Sequence, residues 1–425
     1  MADSNDIPDE YKATELGVLP KEWRISKLES VAQIIMGQSP PGITYNEKGH
    51  GKPFLQGKAE FGEVNPKNIK YTTDPKKIAP GGSVLMSVRA PVGDVNIADI
   101  EYCIGRGLAA ISLMKGDNQF LFFLLQYLKD EIEKEGTGSI FKSINKAKLS
   151  EFDIPLPPLP EQHAIAATLR TVQEAKEKTD AMIAATKALK AAMMKHLFTY
   201  GPVPLEEAER VILKDTEIGQ MAEGWKNIKL EDIVRLTITD GVHKTPKYTE
   251  TGIPFISAIN MENDTLNFLN CRCISEEDHK KLIQRCHPEQ NDSLLCKVGA
   301  TIGKVAKIDV KFPFSIFVQI ALIKPDLQKI NPDFLKYALI SEKGQSQILK
   351  NASQSTMPFI GTNKIGKILI PYPDIQIQEK IGIILITIDQ KLAAEQSRKE
   401  ALDTLFTSLL HDLMTAKIRV TPIAV

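Results

Sequence analysis

The chain has only two tryptophans, Trp23 and Trp225, and they occupy matching points of an internal repeat. Thr14-Glu15-Leu16-Gly17 precedes Trp23 and Leu28-Glu29 follows it; Thr216-Glu217-Ile218-Gly219 precedes Trp225 and Leu230-Glu231 follows. The tryptophans lie 202 residues apart in a chain of 425. A repeat of half the chain predicts two diverged copies of one folding unit, in keeping with the two to three domains that this length favours. Two similar but unequal copies present two similar but unequal surfaces, which suits a molecule that reads two unequal targets.

The correspondence continues along the chain. Tyr45, Gly49 and Pro53-Phe54-Leu55 match Tyr248, Gly252 and Pro254-Phe255-Ile256. Ser83, Leu85, Val88 and Gly93 align with Ser293, Leu295, Val298 and Gly303, and Asn145-Lys146 with Asn363-Lys364. Ile154-Pro155-Leu156-Pro157 matches Ile370-Pro371-Tyr372-Pro373. The offset grows from 202 to 216, so the insertions belong to loops of the second copy.

Short β-rich runs at 83–88, 108–113, 293–298 and 319–323 alternate with Gly, Pro and Asn turns. One helical stretch is expected in each copy, at 120–134 and 333–349. The strands are close in sequence and mostly lack crossover helices. That predicts α+β domains with mixed or antiparallel β-sheets.

After each proline cluster the texture changes. Proline disappears from 161–198 and from 376–414, and Gly382 is the one glycine in either stretch. Both are expected to be long helices, entered through prolines and, for the first, stopped at Gly201-Pro202. A 4-3 spacing picks out an apolar stripe on each. In the first it contains Ile165, Leu169, Val172, Ile183, Met193 and Leu197, interrupted by Lys176, Thr179, Thr186 and Lys190. In the second it contains Ile381, Leu385, Ile388, Leu392, Leu402, Phe406, Leu409 and Leu413, interrupted by Glu395 and Lys399. The simplest partner for each helix is the other, as an antiparallel coiled coil under a pseudo-twofold repeat. A helix of this length, roughly 57 Å, would act as a ruler between two reading heads. The expected division is a polar N-terminal tail (1–13), a first domain (14–157), a central spacer helix (158–200), a second domain (201–371), a distal spacer helix (372–415) and a C-terminal tail (416–425).

Composition narrows the function. Formal net charge is +0 and the pI about 7.1, so the chain lacks the basic excess of a simple nucleic-acid binder. A partner that supplies phosphate contacts would reconcile that balance with DNA binding. The longest strongly apolar stretch, 381–388, is far below the roughly 20 residues of a membrane span. The acidic start Met1-Ala2-Asp3-Ser4 is unlike a secretory signal, and a cytoplasmic protein is expected. Cys271, Cys273, Cys286 and His287 lack the Cys-x2-Cys spacing of common zinc sites, so no metal is expected.

Polar donors cluster with glycine in loops. The first copy offers Gln38, Lys48, His50, Lys52, Gln56, Lys58, Arg89 and Arg106; the second offers His243, Lys244, Lys247, Ser257, Asn260, Lys297, Lys304 and Gln319. Arg, Lys, Gln and Asn bond base edges in the major groove, while Lys and Ser often hold phosphates. Differences between the copies matter most, and the alignment sets Arg89 against Gly299, Asp94 against Lys304, and Arg106 against Val318. Catalytic signatures are missing. Gly299, Gly303 and Lys304 have too short a spacer for a P-loop, Gly105-Arg106-Gly107 stops short of a dinucleotide fingerprint, and no histidine pair forms H-E-x-x-H.

At this point the chain resembles the specificity subunits of type I restriction-modification systems over nearly its whole length. Leu19-Pro20-Lys21-Glu22-Trp23 and Ala222-Glu223-Gly224-Trp225 open the halves. Asp240-Gly241-Val242-His243, Val88-Arg89-Ala90-Pro91-Val92-Gly93 and Cys103-Ile104-Gly105-Arg106-Gly107 also match. The most specific motif is Pro155-Leu156-Pro157-Pro158-Leu159-Pro160-Glu161-Gln162 before the first long helix; the second copy departs from it at Asp374-Ile375-Gln376-Ile377-Gln378. The resemblance implies two target-recognition domains joined by two long helices and a non-catalytic chain. It implies double-stranded DNA and two adenine-methyltransferase (M) subunits as partners, with restriction (R) subunits besides. S-adenosylmethionine, ATP and magnesium would be used through those other subunits, not by this chain. A self-contained methyltransferase or nuclease, or a coiled-coil scaffold without a DNA role, are the other readings of these residues.

Overall fold

The computed structural model describes residues 8–67, 69–136 and 143–420. The outer parts of both expected tails, 1–7 and 421–425, lie outside the described residues. Two compact units share the chain: one runs to Asp180 and resumes at Ser397, and the other is Ala181–Gln396. The division passes through both long helices, Leu159–Tyr200 and Ile375–Met414, so each unit holds a half of each.

The first unit is built on two sheets. One runs, in order, Val95–Ile97, Val84–Ser87, Leu108–Leu113 and Ala32–Met36, all antiparallel. The other runs Tyr45–Asn46, Lys70–Thr72, Lys52–Leu55, Tyr102–Ile104 and Ile78–Ala79, with Lys52–Leu55 and Tyr102–Ile104 parallel. Val84–Ser87 shows no polar alternation because both faces are covered. Val84 and Met86 join the cluster around Trp23, whereas Leu85 joins Leu55, Tyr102 and Leu108.

The second unit repeats this plan. An antiparallel sheet runs Thr239–Asp240, Ile320–Ile323, Ser293–Cys296 and Val305–Lys307. A mixed sheet runs Tyr248–Thr249, Arg272–Ile274, Ile253–Ile256 and Ser315–Ile316, the last two parallel. Leu295 joins the cluster around Trp225, while Leu294 and Cys296 face Ile256 and Ile316.

These faces correct the expected alignment by one residue. Leu85 corresponds to Leu294, not to Leu295, because side-chain direction alternates along a strand and a one-residue slip exchanges the faces. The cross-strand bonds agree: Val88 O accepts from Ile144 N and Lys297 O from Ile360 N, each at 3.0 Å, so Lys297 stands where the first copy has Val88. Arg89 therefore corresponds to Val298 rather than Gly299, and both form a bridge, to Ser143 and Phe359. The same bonds set Ile144 against Ile360, so Asn145 matches Gly361 and not Asn363. Asp94 against Lys304 fits the bonding, since their carbonyls accept from the equivalent Ser87 N and Cys296 N.

Three local expectations also differ. The stretch at 120–134 is two helices, Asn118–Tyr127 and Lys129–Glu135. That at 333–349 is Pro332–Ile340 and Glu342–Asn351, because Ser341 caps the second helix with its side chain. The described part of the N-terminal tail contains a strand, Tyr11–Thr14, paired with Gly17–Pro20; the Tyr11 hydroxyl donates to Ala416 O at 3.1 Å.

Within each unit the helix halves run antiparallel. In the first, Lys176 Nζ lies 2.8 Å from Asp403 Oδ1 and Lys399 pairs with Asp180, so numbers rise on one helix as they fall on the other. In the second, Lys190 reaches Asp389, while Leu197 and Phe198 share a core with Ile381 and Leu385. All twenty stripe positions of the two helices are buried or half-buried, the polar interruptions included.

Candidate nucleic-acid interface

In each unit the parallel strand pair delivers its loops to one edge. Lys52–Leu55 leads into 56–58 and Tyr102–Ile104 into 105–107, and the chain at 37–39 folds over both. Gly105 N donates to Leu55 O at 2.7 Å and Gln38 N to Ile104 O at 2.9 Å. The contact is backbone on backbone: a Cβ on Gly37 would meet Gly105 O at 2.1 Å. The second unit repeats it with 241–243, 257–260 and 317–319, where a Cβ on Gly241 would meet Ile316 O at 2.1 Å. Phe317 N donates to Ile256 O at 2.9 Å and Val242 N to Ile316 O at 3.2 Å.

In the first unit this cluster gathers Gln38, Gln56, Lys58 and Arg106. Gln56 is bonded to Ser39 Oγ at 3.0 Å, and the same oxygen accepts from Arg106 N at 3.2 Å. The backbone of Arg106 is therefore fixed while its side chain stays exposed, as does that of Gln38. Lys58 lies 2.6 Å from Asp94, which also binds Lys129 at 2.8 Å. Burial works against ionisation of Asp94, but the two lysines outweigh it and hold the carboxyl below its ordinary range. Arg89 is exposed. Lys48, His50 and Lys52 are not part of this cluster. They sit at the opposite end of Lys52–Leu55, roughly 13 Å away. There Asn46 Oδ1 accepts from Lys48 N and His50 N, and Lys52 pairs with Glu101 at 2.9 Å.

In the second unit His243, Lys244 and Lys247 are exposed. Ser257 and Asn260 hold each other, with Asn260 Oδ1 accepting from Ser257 N at 3.0 Å. Lys304 Nζ donates to Met261 O at 2.9 Å, and Gln319 O accepts from Lys297 N at 2.8 Å, leaving its side chain half-buried. Lys297 corrects the sequence expectation. Its side chain is only 4% exposed and its ammonium lies 2.8 Å from Asp240 Oδ2, so it cannot present that charge to a ligand. A cation removed from water needs its counter-ion, and Asp240 supplies one from inside the protein. The Lys297 ammonium also lies 4.8 Å from the Phe359 ring.

Sequence reasoning missed Arg285. Its Nη2 lies 2.6 Å from Asp240 Oδ1 and 3.4 Å from His243 Nε2, while 58% of its side chain is exposed. It lies 45 residues from Asp240, beyond any local motif. Burial opposes ionisation of Asp240, but Lys297, Arg285 and His243 overcome it and hold the carboxyl below the ordinary range. An open cleft of about 580 Å³ adjoins this group, lined by Asp240, His243, Lys297, Val318, Phe359 and Lys364.

The two rims are chemically different. Met36 and Val88 in the first unit stand where the second has Asp240 and Lys297. Arg89 and Arg106 stand where the second has Val298 and Val318.

Comparison with known proteins gives a consistent result. Residues 20–183 and 222–404 match the model of the type I restriction modification DNA specificity domain. The chain is 50% identical over 168 residues to a Methanocaldococcus jannaschii protein assigned as the MjaX type I specificity subunit, covering 39% of this chain and 40% of that one. It is 23% identical over 419 residues to the MjaVIII specificity subunit of the same organism, covering 95% and 94%. The fold is similar to the crystal structure of a type I restriction-modification S subunit from M. genitalium, at TM-score 0.65 and 20% identity, covering 92% of this chain and 96% of that one.

Proposed function

This chain belongs to the family of type I restriction-modification DNA specificity subunits, the non-catalytic DNA-recognition components of such systems, and from that premise we propose that it reads an asymmetric bipartite site in double-stranded DNA, one half-site per domain. The observation that carries this reading is the loop cluster built twice on the same strand frame with unlike rims. A shared frame offers two edges to two similar grooves, and unlike side chains read different bases. The exposed candidates Gln38, Arg89 and Arg106 in the first domain, and His243, Lys244 and Lys247 in the second, are the direct contacts in this reading.

Two M subunits dock on the helical region, and R subunits join them. Those subunits bind S-adenosylmethionine, ATP and magnesium. A formal charge of +0 is then no obstacle, because partner subunits contribute much of the phosphate contact. The work takes place in the cytoplasm, where the chromosome is.

Single-molecule sequencing of host DNA with and without the gene tests the reading. Loss of one bipartite adenine-methylation motif on deletion is expected. An unchanged methylome in cells where the chain co-purifies with an active methyltransferase would overturn it.

A further inference from the structure

We propose that Arg285, braced by Asp240, is a specificity-determining residue of the second domain and reads a guanine. The proposal rests on the DNA-reading function above and assigns it to an atom group.

Three observations carry it. First, Arg285 shares the second domain's loop edge with His243, although it enters from a separate segment that follows the helix Glu276–Leu282. Second, its guanidinium is exposed but not free to swing. Asp240 Oδ1 holds Nη2 at 2.6 Å, and Asp240 is itself fixed through its other oxygen by the buried Lys297. Nε and Nη1 carry no hydrogen bond among the described residues. A planar fork with unspent donors, its orientation set in advance, is what recognition of guanine O6 and N7 requires. Third, arginine has changed place between the domains. The first domain exposes Arg89 and Arg106, where the second has Val298 and Val318. The second domain supplies its arginine from Arg285 and installs Asp240 and Lys297 to hold it, where the first has Met36 and Val88.

The chemistry favours a base edge over a phosphate. An ionised carboxylate 2.6 Å from the guanidinium weakens its pull on a second anion. It does not diminish the ability of the remaining N–H groups to bond the neutral acceptors of guanine. A phosphate contact would also gain nothing from a buried lysine placed behind the carboxylate.

The test uses the complex of the full chain with its methyltransferase subunits. Methylation is measured on DNA duplexes carrying the native motif and every single-base substitution of it, for the unaltered complex, Arg285→Ala, Arg285→Lys and Asp240→Asn. Arg285→Ala is expected to lower discrimination at one G·C pair of one half-site by about 10- to 100-fold, with the other half-site read as before. Arg285→Lys, which keeps the charge but loses the fork, should lose most of the same discrimination, and Asp240→Asn part of it. Unchanged discrimination at every position would overturn the proposal. So would uniform weakening across all positions with a shallower salt dependence, the signature of a phosphate contact. If Arg285→Ala does not assemble, Arg285→Lys decides by the same readout. An unaltered complex that methylates no bipartite motif would instead sink the parent reading.

Discussion

Gln162 and Gln378 make the same two hydrogen bonds in the two halves of the chain. Each sits in the first turn of a long helix, almost wholly buried. Gln162 Nε2 donates to Pro157 O at 2.9 Å and its Oε1 accepts from Asp117 N at 3.0 Å; Gln378 Nε2 donates to Pro373 O at 2.9 Å and its Oε1 accepts from Asn331 N at 2.9 Å. Asp117 and Asn331 are the N-caps of the equivalent domain helices. One side chain thus ties the proline entry, the spacer helix and the domain helix together. Gln162→Ala should destabilise the first unit, and Gln378→Ala the second, by about 1–3 kcal/mol each, the cost of stranding a buried donor and acceptor. Trp225→Phe and Trp23→Phe backgrounds allow urea unfolding of each unit to be followed by its own tryptophan. Equal effects on both units from either change would refute the assignment.

A second prediction concerns Lys190 in the helical stripe. Its ammonium lies 2.8 Å from Asp389 Oδ1 and 2.9 Å from Asp264 Oδ2, with only 15% of the side chain exposed. Burial presses its pKa down, but the two carboxylates reverse that and leave it above the ordinary lysine value. The stabilisation is therefore complete at neutral pH and is lost only as pH rises past about 10.5. Asp389→Ala is expected to cost the second unit about 3 kcal/mol, since it leaves Lys190 with Asp264 alone and removes the carboxylate that faces the largely buried Lys336 ammonium at 3.6 Å. Lys190→Met should cost less, because Asp389 keeps the Tyr337 hydroxyl at 2.7 Å. Denaturant melts of both variants would show the order, and the reverse order would refute it.

Lys343 gives the opposite pH dependence. Its ammonium donates to Phe198 O at 2.8 Å, at the end of the central helix, and to Gln220 O. Burial pushes its pKa down to about 8 from 10.5, with Glu342 a weaker influence the other way. Between these values the unfolded chain holds the proton and the folded one does not, so stability rises with pH across that window. Lys343→Met should remove that rise from the second unit. The difference between the two pH–stability curves isolates this group from other titrations, and a constant difference from pH 7 to about 10.5 would count against it.

The loop frame is open to a backbone test. Gly37→Ala and Gly241→Ala each place a methyl about 2.1 Å from a carbonyl oxygen that cannot withdraw, since Gly105 is bonded to Leu55 within the loop cluster and Ile316 is a strand residue paired with Ile256. Each substitution should abolish recognition of one half-site while leaving the two tryptophan cores and co-purification with the methyltransferase intact. Gly82→Ala is a useful comparator, because its Cβ would meet nothing within 4 Å although its φ of +80° brings strain. Retained recognition in both loop variants would mean that the edge is not the interface.

Much of the plan was legible along the chain. The tryptophan repeat, the proline entries and the 4-3 stripe are local patterns, and each marks an element whose burial follows from its own periodicity. The strand alignment was not legible to within one residue. Ser83-Val84-Leu85 and Ser293-Leu294-Leu295 are both apolar runs buried on two faces, so nothing in them tells one face from the other. The candidate interface was legible only in part. Arg106 stands in a glycine-flanked loop that draws attention, whereas Arg285 stands beside Cys286 and His287, where the residue types suggest a metal site and not a base contact. Lys297 looks like any surface lysine until Asp240 is found beside it.

The residue pattern alone implies two copies, two long helices and the apolar face of each. Those are consequences of short-range spacing, which acts before the chain is folded. Which polar residues face solvent and which are consumed inside depends on long-range packing. Lys297 and Arg285 carry the same charge, but one is buried behind Asp240 and the other is braced in front of it. That difference is set by segments far apart in the chain meeting at one carboxylate, and no local pattern encodes such a meeting.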